Sequence, residues 1–143
     1  MMSDIISARV EETHISDFSV AIEVSGHRLS GDEPESQGGM NLAPSPYDYL
    51  TAALGECTAM TVRWYARQKN WPLQDVRVEL THEKVAGHES GKADIFRKSV
   101  TIIGDQLSDQ QRQRLHDIAA KCPVHKTLTG GAFIETVSGL AER

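Results

Sequence analysis

The chain has only two cysteines, Cys57 and Cys122, among 143 residues. That is too few for a disulfide-stapled secreted fold, so each must be explained singly, as packing or as chemistry. An excess of basic charge is also missing. Lys and Arg number 15 against 20 Asp and Glu, for a formal net charge of −5. A duplex or an anionic membrane would demand a basic stripe, and here the basic residues are scattered among acids. Neither nucleic acid nor lipid is expected as a partner. Long apolar runs are lacking, so no segment is expected to span a bilayer. Residues 1–6 have neither a basic n-region nor a long apolar h-region, so no leader is expected and the default location is the cytoplasm. There is no internal repeat and no low-complexity tract. Apolar residues at 39% and charged residues at 24% sit near globular averages, which argues against disorder. The length suits a single domain over residues 1–143.

What is present begins with β character. Residues 6–11 half-alternate. Phe18, Val20, Ile22 and Val24 fall on one face at period two. Ser25-Gly26 gives a turn, and His27-Arg28-Leu29 continues as a short strand. Residues 30–46 form one long loop rich in turn formers and acids, the kind of segment that serves as a lid or a site wall.

A helix start follows. Ser45 is a natural N-cap, Pro46 suits the first helical position, and Asp48 completes a capping box in place of Glu. The pattern runs to about Lys69, roughly 35 Å of helix, with Asn70 and Pro72 as stop signals. Leu50, Ala53, Leu54, Cys57, Thr61 and Trp64 follow helical spacing. Most of the remaining surface is apolar or small, which predicts a buried central helix. Val76, Val78 and Leu80 then alternate with polar residues. A polar turn over residues 86–92 and a strand over residues 93–103 complete a hairpin. Ser108 with Gln111 forms a second capping box, and Leu115, Ile118 and Ala119 mark that helix's inner face. Pro123 opens a short helix with Cys122 at its N-cap. Gly130-Gly131 ends it, and residues 132–137 read as a last strand. This order predicts an α+β fold with antiparallel sheets.

By local chemistry, Cys122 is the sharper signal. A sulfur at a helix N-terminus faces free N–H groups and the positive end of the macrodipole, and both favour the reactive thiolate. Lys121, His125 and Lys126 add positive potential. The competing reading is a small buried residue at a helix junction. Cys57 lies mid-helix, beyond the reach of the dipole, and by itself reads as packing. Together, the two sulfurs would suit a thiol that becomes sulfenic acid and a second that condenses with it to a disulfide, with no metal and no cofactor. A metal site is the rival. Cys122-x-x-His125 has ligand-like spacing, but no second pair accompanies it, and His27, His82, His88 and His116 are dispersed. Gly38-Gly39 lacks the strand-to-helix context of a phosphate loop. No Gly-x-Ser-x-Gly occurs.

Two segments carry a resemblance. Pro44-Ser45-Pro46-Tyr47-Asp48-Tyr49-Leu50-Thr51-Ala52-Ala53-Leu54-Gly55-Glu56-Cys57-Thr58-Ala59-Met60-Thr61 and Lys121-Cys122-Pro123-Val124-His125-Lys126-Thr127-Leu128 resemble the OsmC/Ohr family of thiol-dependent peroxidases. The Cys-Pro-Val-His-Lys form and the Asp32-Glu33-Pro34 loop look most like its OsmC-like branch. The resemblance implies antiparallel sheets around a long buried central helix, an intertwined homodimer, and active sites between subunits. It implies reduction of organic hydroperoxides to alcohols, with electrons returned by a dithiol such as a lipoyl group. By position, Cys57 would be the peroxidatic cysteine and Cys122 the resolving one, the reverse of the ranking from local chemistry. The family also uses an arginine from the N-terminal strands and a glutamate near the start of the Cys helix. Its Asn-Pro-Glu is Ser45-Pro46-Tyr47 here. The nearest acid is Asp48, one position later and so rotated by about 100°. Arg28 is the candidate cation and Arg9 the alternative. Apolar Leu54, Met60 and Trp64 would suit alkyl or aryl hydroperoxides better than hydrogen peroxide. A reading from another class also fits the missing glutamate: a redox-sensing or small-ligand-binding protein on the same scaffold.

Overall fold

The structure, a computed structural model, describes residues 5–86 and 93–139. The chain divides into two compact units, residues 1–52 and 53–143, with the boundary inside the long helix.

The first unit is an antiparallel meander of β1 (Ala8–Glu12), β2 (Val20–Val24) and β3 (His27–Gly31), in that spatial order. Period-two patterning places Val20, Ile22 and Val24 on the better-buried face, as expected, with Ala21 and Glu23 on the other. Ser25 and Gly26 both take positive φ, 49° and 81°, the conformation whose twist suits a two-residue hairpin. Register aligns Arg9 with Glu23 and Glu23 with Arg28, so the three form one row across the sheet. The long loop is organised from within. Asp32, 3% exposed, accepts hydrogen bonds from the Ser16 hydroxyl at 2.7 Å and from the backbone N–H groups of Glu33, Met40 and Leu42 at 2.8–3.2 Å. Those bonds hold its carboxyl below the ordinary aspartate value, the Ser16 bond most of all.

The long helix α1 (Pro46–Gln68) starts and stops as its sequence dictates. Ser45 N–H donates to Asp48 Oδ2 at 2.9 Å, and Asp48 N–H donates to Ser45 Oγ at 3.4 Å, closing the capping box. At the other end Asn70 is left-handed, with φ 55°. Trp71 N–H reaches back to Ala66 C=O and Asn70 N–H to Arg67 C=O, a Schellman closure.

The second unit packs α1 with a hairpin of β4 (Asp75–Lys84) and β5 (Asp94–Ile103), then α2 (Asp109–Ala119) and α3 (Pro123–Gly130). Its core is Val62, Ala66, Leu73, Ile102, Leu107, Leu115 and Ala119. Ser108 and Gln111 form the predicted capping box on α2. The Arg112 guanidinium donates to the carbonyls of Ile102 and Gly104, tying α2 to the end of β5. Gly55 allows close approach to β4, since a Cβ there would lie 2.5 Å from Leu80 Cδ1.

Three expectations need correction or fall outside view. The buried stripe of α1 is Leu54, Gly55, Thr58, Val62 and Ala66. Trp64, expected on the inner face, is 61% exposed and Met60 63%. The core of the second unit covers one side of the helix only. Residues 132–137 form no strand: they pair with no strand among the described residues, and Phe133, Ile134 and Val137 are exposed. Alternating apolar character does not make a strand without a ladder partner to bond its N–H and C=O groups. The predicted turn over residues 86–92 lies, apart from Ala86, outside the described residues.

Leu115 is fully buried. Leu115→Ala is expected to cost about 2–5 kcal/mol in urea unfolding, and Ser108→Ala, which removes only the cap, about 1 kcal/mol.

Candidate functional site

The candidate site is built where α1, β5 and the N-terminus of α3 meet. Pro123 occupies the first helical position of α3, and Cys122 is its N-cap in extended conformation. Pro fits there because its missing N–H would have no helical partner. The next two N–H groups each find a sulfur. Val124 N–H donates to Cys57 Sγ and His125 N–H to Cys122 Sγ, both at 3.4 Å. One helix N-terminus therefore holds both thiols, on the N–H groups of consecutive residues. Both are free. Cys57, three turns into α1, is half-buried, whereas Cys122 has no exposed surface.

Around Cys122 lies a polar network that sequence reasoning missed. Thr58, fully buried, places Oγ1 3.4 Å from Cys122 Sγ and 2.8 Å from Leu54 C=O. Lys98 Nζ donates to Thr58 Oγ1 and to Ala119 C=O, each at 2.8 Å. A signal for Lys98 was present. On β5 the inward face runs Phe96, Lys98, Val100, Ile102 at period two, and a lysine in an inward apolar row needs a buried partner. Thr58 gave no such signal, because threonine is common on helices with its hydroxyl bonded back to the preceding turn.

The electrostatics follow from this packing. Burial pushes the Cys122 thiol up. The Thr58 hydroxyl, the His125 N–H, the Cys57 thiol and the Lys98 ammonium outweigh it, so the net value lies below that of an ordinary thiol. Burial lowers Lys98, and the two sulfurs partly offset that, Cys122 more than Cys57. Burial, with Lys98 nearby, also lowers His125, and its Nδ1 is buried without a partner. Both effects disfavour the charged imidazole. Of Lys121, His125 and Lys126, expected to add positive potential, His125 has its charged form disfavoured by burial, and a cation the sequence did not single out, Lys98 on a distant strand, acts on Cys122.

Arg28 and Asp48 are placed in the first unit, and the two cysteines in the second. Arg28 ion-pairs with Glu23 at 3.5 Å, and Arg9 with Glu11 at 3.8 Å. The two arginines line one concavity of about 490 Å³ on the meander. The Asp48 carboxylate caps its own helix at Ser45. Among the described residues no cluster of three or more His, Cys, Asp or Glu could hold a metal ion. No described helix is long and apolar enough to cross a membrane.

The fold and its paired sulfurs define the class first: an α+β protein with two antiparallel sheets, a long helix carrying one cysteine, and a second cysteine capping a short helix. The family model described as OsmC-like protein matches residues 38–137, and the chain belongs to that family. Solved structures share the fold. An organic hydroperoxide resistance protein OsmC from Legionella pneumophila has a TM-score of 0.68 at 19% identity, covering 91% of this chain and 93% of its own. An OsmC-like protein from Mycoplasma pneumoniae has 0.68 at 20% identity, covering 90% and 89%. An organic hydroperoxide resistance protein from Elizabethkingia anophelis has 0.69 at 14%, covering 90% and 91%. At such identities the likeness is one of fold. No curated protein matches the chain.

The lowered Cys122 value has a consequence for stability. A folded-state pKa below the unfolded one makes ionisation stabilising. That contribution is complete above the unfolded thiol value, about 8.5, and is lost as the pH falls through the folded value. Urea midpoints are expected to climb more steeply for wild type than for Cys122→Ser as pH rises from about 6 to about 9.

Proposed function

We propose that the protein is a cysteine-based peroxidase that reduces organic hydroperoxides to alcohols. The observation that carries this reading is the pair of adjacent free thiols, one reachable and one buried, held by the N–H groups of a single helix start. In the proposed cycle the Cys57 thiolate attacks the terminal peroxide oxygen. The O–O bond breaks, the alkoxide leaves and takes a proton, and Cys57 becomes sulfenic acid. Cys122 then condenses with it, releasing water. An external dithiol of the lipoyl type returns the pair to thiols by two exchanges. Accessibility supports giving the first step to Cys57, because a hydroperoxide must reach the attacking sulfur, and Cys122 has no exposed surface. The names of the Legionella and Elizabethkingia proteins support the substrate class. No cofactor enters the cycle.

Arg28 and Asp48 keep the roles of supporting cation and acid in this reading. The working form is a homodimer with its active sites at the subunit interface, and exposed Met60, Trp64, Phe133 and Ile134 provide apolar surface for a second copy. Residues 1–143 act as one functional domain in the cytoplasm, whose reducing poise would return an oxidised pair to its thiols.

Stopped-flow consumption of cumene hydroperoxide with dihydrolipoamide tests the cycle. Cys57→Ser is expected to fall to background. Cys122→Ser is expected to keep the first oxidation and accumulate a dimedone-trappable sulfenic acid. Rapid disulfide formation in wild type without multiple turnover would instead favour a redox sensor. Arg28→Ala is expected to slow Cys57 oxidation roughly 10²-fold, as for loss of one electrostatic donor, with Asp48→Asn slowing it less.

A further inference from the structure

The proposed cycle assigns no work to Lys98 and Thr58, although both are built into the least accessible part of the site. Lys98 sits on the Ala119 carbonyl at the end of α2, where the orphan C=O groups and the negative end of the macrodipole favour a cation. Its second hydrogen bond goes to Thr58 Oγ1. That oxygen has one proton to give and two lone pairs. With Cys122 as a thiol, Thr58 donates to Leu54 C=O, and its lone pairs receive Lys98 N–H and Cys122 S–H. With Cys122 as a thiolate, the hydroxyl turns its proton from Leu54 C=O to Sγ, while the ammonium continues to polarise the oxygen. Both states satisfy every buried polar atom of Thr58 without moving a heavy atom. Among the described residues no hydroxyl bonds Cys57 in this way, and its backbone donor is Val124 N–H.

We propose that Lys98 and Thr58 form a relay to Cys122, in which the Lys98 ammonium polarises the Thr58 hydroxyl and that hydroxyl stabilises the Cys122 thiolate as attacking and as leaving sulfur. The chemical step rests on the peroxidase reading. In resolution, the Cys122 thiolate attacks the Cys57 sulfenic sulfur and supplies the electron pair of the new S–S bond. The S–O bond breaks, and hydroxide leaves with the proton that Cys122 gave up, as water. The Cys122 sulfur is oxidised and the Cys57 sulfur reduced. When a dithiol later attacks Cys57 in the disulfide, Cys122 departs as the same stabilised thiolate. A leaving thiol that ionises more readily departs faster. Thr58 touches the reacting sulfur, and Lys98 is a positioning residue acting through it.

Three measurements decide the matter. In a Cys57→Ser background, the ultraviolet absorbance of the Cys122 thiolate is titrated with Thr58→Val, Thr58→Ser, Lys98→Met and Lys98→Arg. Thr58→Val and Lys98→Met are expected to move the midpoint to higher pH, with Thr58→Ser and Lys98→Arg restoring it towards wild type. Second, proteins with both cysteines receive one equivalent of cumene hydroperoxide and are quenched for mass spectrometry. The ratio of disulfide formation to sulfenic acid formation is expected to fall roughly tenfold in Thr58→Val and Lys98→Met at neutral pH, and to recover at higher pH as the thiol ionises unaided. Third, protein oxidised by diamide, without peroxide, is reduced by dithiothreitol, and the same two variants are expected to react roughly tenfold more slowly. An unmoved Cys122 midpoint, or a moved midpoint with unchanged resolution and reduction rates, overturns the relay. Failure of wild-type Cys57 to form sulfenic acid overturns the peroxidase reading instead, and the titration and diamide arms still judge the relay. Thr58→Val replaces a buried side chain at nearly constant volume, so it decides the outcome if Lys98→Met does not fold.

Discussion

The N-terminus of α3 is the constraint on which the candidate site depends. Two of its backbone N–H groups, which no helical carbonyl can satisfy, are satisfied by sulfur. Cys122 fills the N-cap itself, and Cys57 reaches the adjacent donor from α1. Pro123 sharpens the arrangement, since it removes an N–H that would otherwise compete and fixes the first helical φ. The two thiols are thus brought together by backbone geometry. For Cys122 the same helix start favours the thiolate, because its N–H groups carry the positive end of the macrodipole.

Around that constraint the chain is asymmetric. One sulfur is reachable and the other is sealed beneath it, against Thr58 and Lys98. A partly buried ammonium is costly unless its protons are placed, and here two of them go to the oxygens of buried residues. Partial burial lowers Lys98, and its charge favours the Cys122 thiolate across the one hydroxyl that both contact. Such a cation differs from a solvated surface arginine such as Arg28, which ion-pairs on the meander.

Much of the fold was legible in particular residues. Ser45 with Asp48 and Ser108 with Gln111 announced two helix starts, and both capping boxes form. Asn70 announced a stop, and Ser25-Gly26 a tight turn. These signals were readable because each is a bargain between neighbours in sequence, settled within one turn of chain. Period two likewise gave the faces of β2 and β4. Trp64 and residues 132–137 were misread for a shared reason. Apolar spacing reports what a segment can bury, and only the surrounding chain decides whether anything is there to bury it against.

By itself the sequence determined the element order as far as α3, the boundaries of the long helix, the N-cap position of Cys122 and, by resemblance, the family. Each of those rests on contacts a few residues long or on a pattern of residue types. The tertiary structure alone decided that Cys57 meets the same helix start as Cys122, that Lys98 reaches the site from β5, and that Thr58 joins Lys98 to Cys122. These partners come from a helix, a strand and a helix cap far apart in the chain. Their separation is a result of packing, and packing is set by the whole core at once rather than by any local stretch of residues.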